Sequence, residues 1–133
     1  MIVLDEQLSA DLFISEITRW YPGRVDTIQN LRPNTVIKDD NIPALLRSVS
    51  SPTFVTINVF DFWRKVQPHQ DYCVVTIDLS QSAASPLPTI LRNLFKKPQF
   101  STKAARMGHV IRVQQEKIRF YSFDRRITTI SDK

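Results

Sequence analysis

With 133 residues, 42% of them hydrophobic and 23% charged, the chain can bury one core of ordinary size. No apolar run approaches the roughly 20 residues that cross a bilayer, no secretory signal opens the chain, and a lone Cys73 excludes an internal disulfide, so a cytoplasmic protein is expected. Only Gly23 and Gly108 are glycines, which excludes the Gly-rich loops that cradle dinucleotides and nucleoside triphosphates.

In chain order, residues 1–5 predict a short buried strand, Met1-Ile2-Val3-Leu4, closed by Asp5. Leu8, Leu12, Ile14, Ile17 and Trp20 keep helical spacing from about Gln7 to Tyr21, and Pro22-Gly23 ends that helix. Val25 to Leu31 alternates as a second strand, followed by a loop, Arg32 to Thr35. Asp39 or Asp40 opens a second helix through Ile42, Leu45, Leu46 and Val49, with Pro43 tolerated in its first turn. Residues 53–57 form a third strand, and Asp61-Phe62-Trp63 opens a short helix. A fourth strand follows at Tyr72 to Ile77, then a helix from about Leu87 to Lys97 with Ile90, Leu91, Leu94 and Phe95 on one face. The strands His109 to Val113 and Lys117 to Tyr121, joined by a short polar turn, must be antiparallel. From about Thr128 the chain is expected to fray. Alternating β and α elements at this spacing predict one α/β domain over residues 1–133: a three-layer αβα sandwich with a mainly parallel sheet and a C-terminal antiparallel β-ribbon. Its α/β core would span 1–97, its basic segment 98–127 and its tail 128–133.

The acids punctuate these elements. If the apolar runs are neighbouring parallel strands, Asp5, Asp39, Asp40, Asn58 and Asp61 gather at the carboxyl edge of one sheet, where open α/β folds place ligands. Carboxylates crowded there repel unless a cation lies among them, which points to a divalent metal.

These stretches also resemble a family. Leu4-Asp5-Glu6-Gln7-Leu8 resembles the Leu-Asp-Glu-Asn-Leu opening of small PIN-like domains. Asp39-Asp40-Asn41-Ile42 resembles their Asp-Glu-Glu-Ile signature, and Phe54 to Phe62 resembles Val-Thr-x-Asp-x-Asp-Phe. The resemblance covers about residues 1–65, with the signatures in order. Two departures stand out: Asn58 replaces an aspartate, and Val59-Phe60 brings an extra residue before Asp61. PIN-like domains include metal-dependent ribonucleases, among them the toxin halves of bacterial toxin–antitoxin pairs. The resemblance therefore implies Mg²⁺ or Mn²⁺ held by Asp5, Asp39 and Asp61, with Asn58 assisting and Lys38 steadying a phosphate. In that setting the ion would acidify a bound water and offset charge developing on the phosphodiester. RNA, a cognate antitoxin protein and a second copy of the chain are the partners expected on this reading.

Charge is divided along the chain. Up to residue 91 there are 7 Lys and Arg against 10 Asp and Glu; from Arg92 onward there are 11 against 3. Lys103 and Arg106, one helical turn apart, make with Lys96, Lys97 and Arg112 a candidate phosphate-binding edge. The same charges also suit a solvated surface. Each acid, likewise, has an ordinary alternative as a helix cap worth about 1 kcal/mol. Phe62 and Trp63 are candidates for base stacking or for the core. His69 and His109 lack partners at zinc-ligand spacing. A non-catalytic module binding RNA or protein through its basic segment is the alternative function.

Overall fold

A computed structural model describes residues 1–8, 11–34, 36–79, 86–114 and 116–131. Among these residues seven strands form a single sheet in the order β2-β1-β3-β4-β5-β6-β7. They are β1 (Ile2–Leu4), β2 (Val25–Thr27), β3 (Thr53–Thr56), β4 (Cys73–Ile77), β5 (Val110–Gln114), β6 (Lys117–Tyr121) and β7 (Thr128–Ser131). The first five run parallel, whereas β6 and β7 are antiparallel to their neighbours. The helices are α1 (Asp11–Trp20), α2 (Ile28–Leu31), α3 (Ile42–Arg47), α4 (Val59–Phe62), α5 (Leu87–Phe95) and α6 (Lys103–Arg106), with 3-10 turns at Glu6–Leu8, Asp39–Asn41 and Pro98–Phe100.

The parallel strands are buried along their length because apolar side chains cover both faces. Ile2, Leu4, Val55, Val75 and Ile111 pack with Ile17 of α1 and with Leu91 and Leu94 of α5. The intervening positions Val3, Phe54, Val74 and Val110 pack with Ile28 of α2, Ile42 and Leu46 of α3 and Phe62 of α4. Successive strand residues face opposite ways, so a continuous apolar run fills both clusters. Cys73 is fully buried at the start of β4, and burial pushes its thiol up to about 12, so it remains an unreactive core side chain.

Several boundaries differ from the sequence reading. The expected strand Val25 to Leu31 stops at Thr27 and turns into α2. Asp26 accounts for this: its carboxylate accepts from the Thr27 amide and from Asn30 Nδ2, both at 2.8 Å, and so draws the backbone into a helical turn. Arg24 holds the other oxygen at 2.6 Å. The first helix begins at Asp11 after a separate 3-10 turn; Ser9 of the expected helix lies outside the described residues. α4 begins at Val59, two residues before the expected start.

The expected frayed tail is corrected. Thr128–Ser131 forms β7, paired with β6 from Phe120↔Thr128 to Lys117↔Ser131. Among the described residues no helix is long and apolar enough to cross a membrane.

Candidate functional site

From β1 the chain passes to β2 on one side and then crosses to β3 on the other, so the strand order reverses between β1 and β3. The carboxyl ends of two strands diverging in this way leave a crevice. Asp5 follows β1 directly and is only 8% exposed. Its Oδ2 accepts from Thr56 Oγ1 at 2.6 Å and its Oδ1 from the Glu6 amide at 2.8 Å. Thr56 in turn accepts from the Asn58 amide at 3.0 Å, so the ends of β1 and β3 are linked through one buried hydroxyl.

Asp61 lies in α4, beyond β3, and its Oδ2 accepts from Asn58 Nδ2 at 2.6 Å. Asp39 lies in the 3-10 turn leading into α3. It lines, with Asp40, Asp61 and Lys65, a cavity of about 290 Å³. Burial raises the Asp39 carboxyl above the usual aspartate value, and repulsion and hydrogen bonding from Asp61 and the charges of Asp5 and Asp40 raise it further. The structure thus brings Asp39 and Asp61 together with Asp5 within electrostatic reach. Among the described residues no group of three His, Cys, Asp or Glu side chains is arranged to hold a metal ion.

The capping alternative fares differently at each acid. Among the described residues no side chain caps the turn at Asp39, the start of α3 or the start of α4, so Asp39, Asp40 and Asp61 lie in first turns without serving as caps. Asp5 does bind a backbone amide at the turn that follows it.

The basic candidates separate. Arg112 lies on β5 beside Thr76 and pairs with Asp78 at 3.2 Å, while its buried Nε has no hydrogen-bond partner among the described residues. It belongs to the same sheet face as Thr56. Lys103 and Arg106 instead precede β5 and lie at the amino edge of the sheet, so Arg112 is set apart from the other cations of the expected phosphate-binding edge. Arg106 is 4% exposed, hydrogen-bonded to Thr53 Oγ1 and the Phe100 carbonyl, and stacked on Phe95. Helical spacing puts it on one face with Lys103; its neighbours bury it. Lys38 is exposed before the turn that carries Asp39, and Lys65 is the one cation lining the cavity among the described residues.

The aromatic candidates resolve as core. Phe62 packs on Phe54 and Trp63 on Tyr121, whereas Phe60, 86% exposed, is the ring presented beside Asp61. Nothing in the sequence singled out Phe60 or Lys65 beyond their proximity to Asp61. His69 stacks on Tyr72, and His109 lies between Phe100 and Phe120.

The turn behind α4 is braced from a distance. Arg64 and Arg125 both adopt positive φ, 67° and 61°. Arg125 Nη2 donates to the Arg64 carbonyl at 2.9 Å, Arg64 Nη1 donates to the Arg125 carbonyl at 3.4 Å, and both guanidinium groups lie over the Tyr121 ring.

A neutral residue at position 39 should be more stable than the aspartate at neutral pH. The folded-state pKa of Asp39 is raised above the unfolded 3.8, so the protein binds more protons folded than unfolded between those values. The stability contributed by Asp39 is complete below the unfolded value and is lost as pH rises through the folded one. Asp39→Asn is therefore expected to gain about 0.5 kcal/mol near pH 7, a small figure because solvent screens the exposed carboxylate, and nothing near pH 3. Thermal melts of both proteins across that range measure the difference.

Comparison with protein-family models, curated proteins and solved structures finds no match to this chain.

Proposed function

We propose that this chain is a metal-dependent ribonuclease of the PIN-like type, a three-layer αβα sandwich acting in the cytoplasm, in the manner of the toxin of a toxin–antitoxin pair. The observation that carries this reading is the pairing of Asp39 with Asp61 beside Asp5 at the β1/β3 crevice. Three acids from distant stretches of sequence meet where a ligand is expected, and two of them serve no cap.

The donor set suits Mg²⁺ or Mn²⁺, hard cations that take one or two carboxylates and complete their shell with water. Asp39 and Asp61 would hold the ion, with Asp5 reinforcing the negative field. When bound, it would lower the pKa of a water and neutralise charge on a phosphodiester. Thr56 and the Glu6 amide fix the Asp5 carboxylate, and Asn58 orients Asp61. Lys65 lines the same cavity and would meet a phosphate, Arg112 would support the strand from its ion pair, and Phe60 offers an exposed face for a base.

The alternative, a non-catalytic module that binds RNA or protein through residues 92–126, is favoured by one observation: both Asp5 oxygens already have protein partners. Incubation of an end-labelled RNA with Mn²⁺, Mg²⁺ or EDTA separates the two. Cleavage with either ion and none in EDTA, together with a melting temperature raised by Mn²⁺, is the expected result. Intact RNA in every condition and an unchanged melt would overturn the nuclease reading; salt-sensitive RNA binding would then support the module.

A further inference from the structure

At the opposite, amino edge of the sheet lies a cavity of about 510 Å³, within the range of ordinary small-ligand sites. Among the described residues four basic side chains line it: Arg92, Lys96, Lys103 and Arg106. Arg92 and Lys96 are one turn apart at the end of α5, so both project on the same side. Lys103 comes from α6, and Arg106 from its last position. Among the described residues no acidic side chain lines this cavity, and Glu16, near Arg92, belongs to the neighbouring depression. Like charges converging without a counter-ion repel one another, and an anion relieves that repulsion.

Lysines and arginines at the end of α5 have a lesser role in favouring the helix dipole. That role does not account for Lys103 and Arg106, which belong to another helix. Nor does it account for the rest of the cavity wall. Trp20, Tyr21 and Phe95 meet there in edge-on and tilted contacts, with ring centroids 5.8 to 6.1 Å apart. All three are only partly buried, so ring surface remains open. The Tyr21 ring folds over Gly23, where a Cβ would lie 2.7 Å from it. Arg106 is fixed in the cavity floor by Thr53 Oγ1, the Phe100 carbonyl and the Phe95 ring, 4.0 Å from its guanidinium carbon.

We propose that this cavity is a second binding site, for a nucleoside phosphate: a base packs against the Trp20–Tyr21–Phe95 wall, and phosphate oxygens meet Arg92, Lys96, Lys103 and Arg106. Charge alone would suit any anion, and aromatic rings alone any planar group; their combination in one cavity selects a planar heterocycle carrying phosphate. The nucleotide is either free or a residue of an RNA strand. The site is independent of the acidic crevice, since β3 and β4 separate one edge of the sheet from the other.

Binding of 5′-AMP, inorganic phosphate and a fluorescein-labelled single-stranded RNA is measured on the whole chain in EDTA, where the acidic crevice takes no cation. Arg92→Glu/Lys103→Glu, two exposed positions whose reversal spares the core, is the test variant, with its fold checked by circular dichroism. AMP is expected to bind the unaltered protein about tenfold or more tightly than phosphate and to lose about tenfold or more in the variant. Loss of RNA binding in the variant, without AMP binding, assigns the nucleotide to a strand and also supports the site. Where AMP does bind, an affinity no greater than that of phosphate removes the base from the proposal and overturns it. Absence of AMP and RNA binding, or binding unchanged in a folded variant, overturns it too.

Discussion

Arg106→Ala is expected to lower the unfolding free energy by about 3 kcal/mol, and Lys103→Ala by less than about 0.5 kcal/mol, in parallel urea titrations. The two cations are three residues apart in the same helix, and sequence spacing treats them alike. Their surroundings do not. Lys103 is exposed, whereas Arg106 is 4% exposed, donates to Thr53 Oγ1 at 3.3 Å and to the Phe100 carbonyl at 2.9 Å, and covers Phe95. Truncation removes two charge-assisted donors and the aliphatic stem at once, leaving an interior carbonyl without that donor. Burial draws the Arg106 guanidinium pKa below its usual value, so some of the loss is offset by relief from desolvation. Arg106→Met retains the stem and should cost about half as much as the alanine variant. Equal, small effects at positions 103 and 106 would show that Arg106 is solvated.

Asp39→Asn and Asp61→Asn should each reduce metal-dependent RNA cleavage by about a hundredfold or more. The two carboxyls share a cavity, and Asp61 is among the causes that raise Asp39. Removing either leaves the other without a partner for a divalent cation, so the double variant should be little worse than the poorer single one. The melting-temperature gain with Mn²⁺ should disappear in the same variants. Initial cleavage rates under excess enzyme provide the measure. Near-normal rates in both singles would remove the pair from the chemistry.

Position along the chain revealed the acids better than it revealed the cations. Parallel strands covered on both faces appear in the sequence as unbroken apolar runs, so β1, β3 and β4 were legible, and an acid at the end of such a run necessarily falls near a sheet edge. The hairpin of β5 and β6 followed from its short turn. β2 was overextended because alternation continued past Asp26, whose side chain bends the backbone by accepting from the residues one and four positions ahead rather than through hydropathy. β7 was missed for another reason: Thr128-Thr129-Ile130-Ser131 is largely exposed and carries no apolar run, and only its partner β6 makes it a strand. Arg106 illustrates the general difficulty with cations, since nothing in a helical period records that Thr53, 53 residues earlier, and the Phe100 carbonyl, six residues earlier, will face it. Asn58, the departure from the PIN-like pattern, holds Asp61 by a side-chain hydrogen bond, a role that identity alone did not show.

The Arg64–Arg125 pair has a consequence for the order in which the molecule is completed. The turn directly behind Asp61 is held by a residue synthesised 61 positions after its partner. A nascent chain therefore exposes Asp5, Asp39 and Asp61 well before their support emerges from the ribosome. A product terminated early, before position 125, would carry every acid of the crevice and still lack the clamp that steadies one of them.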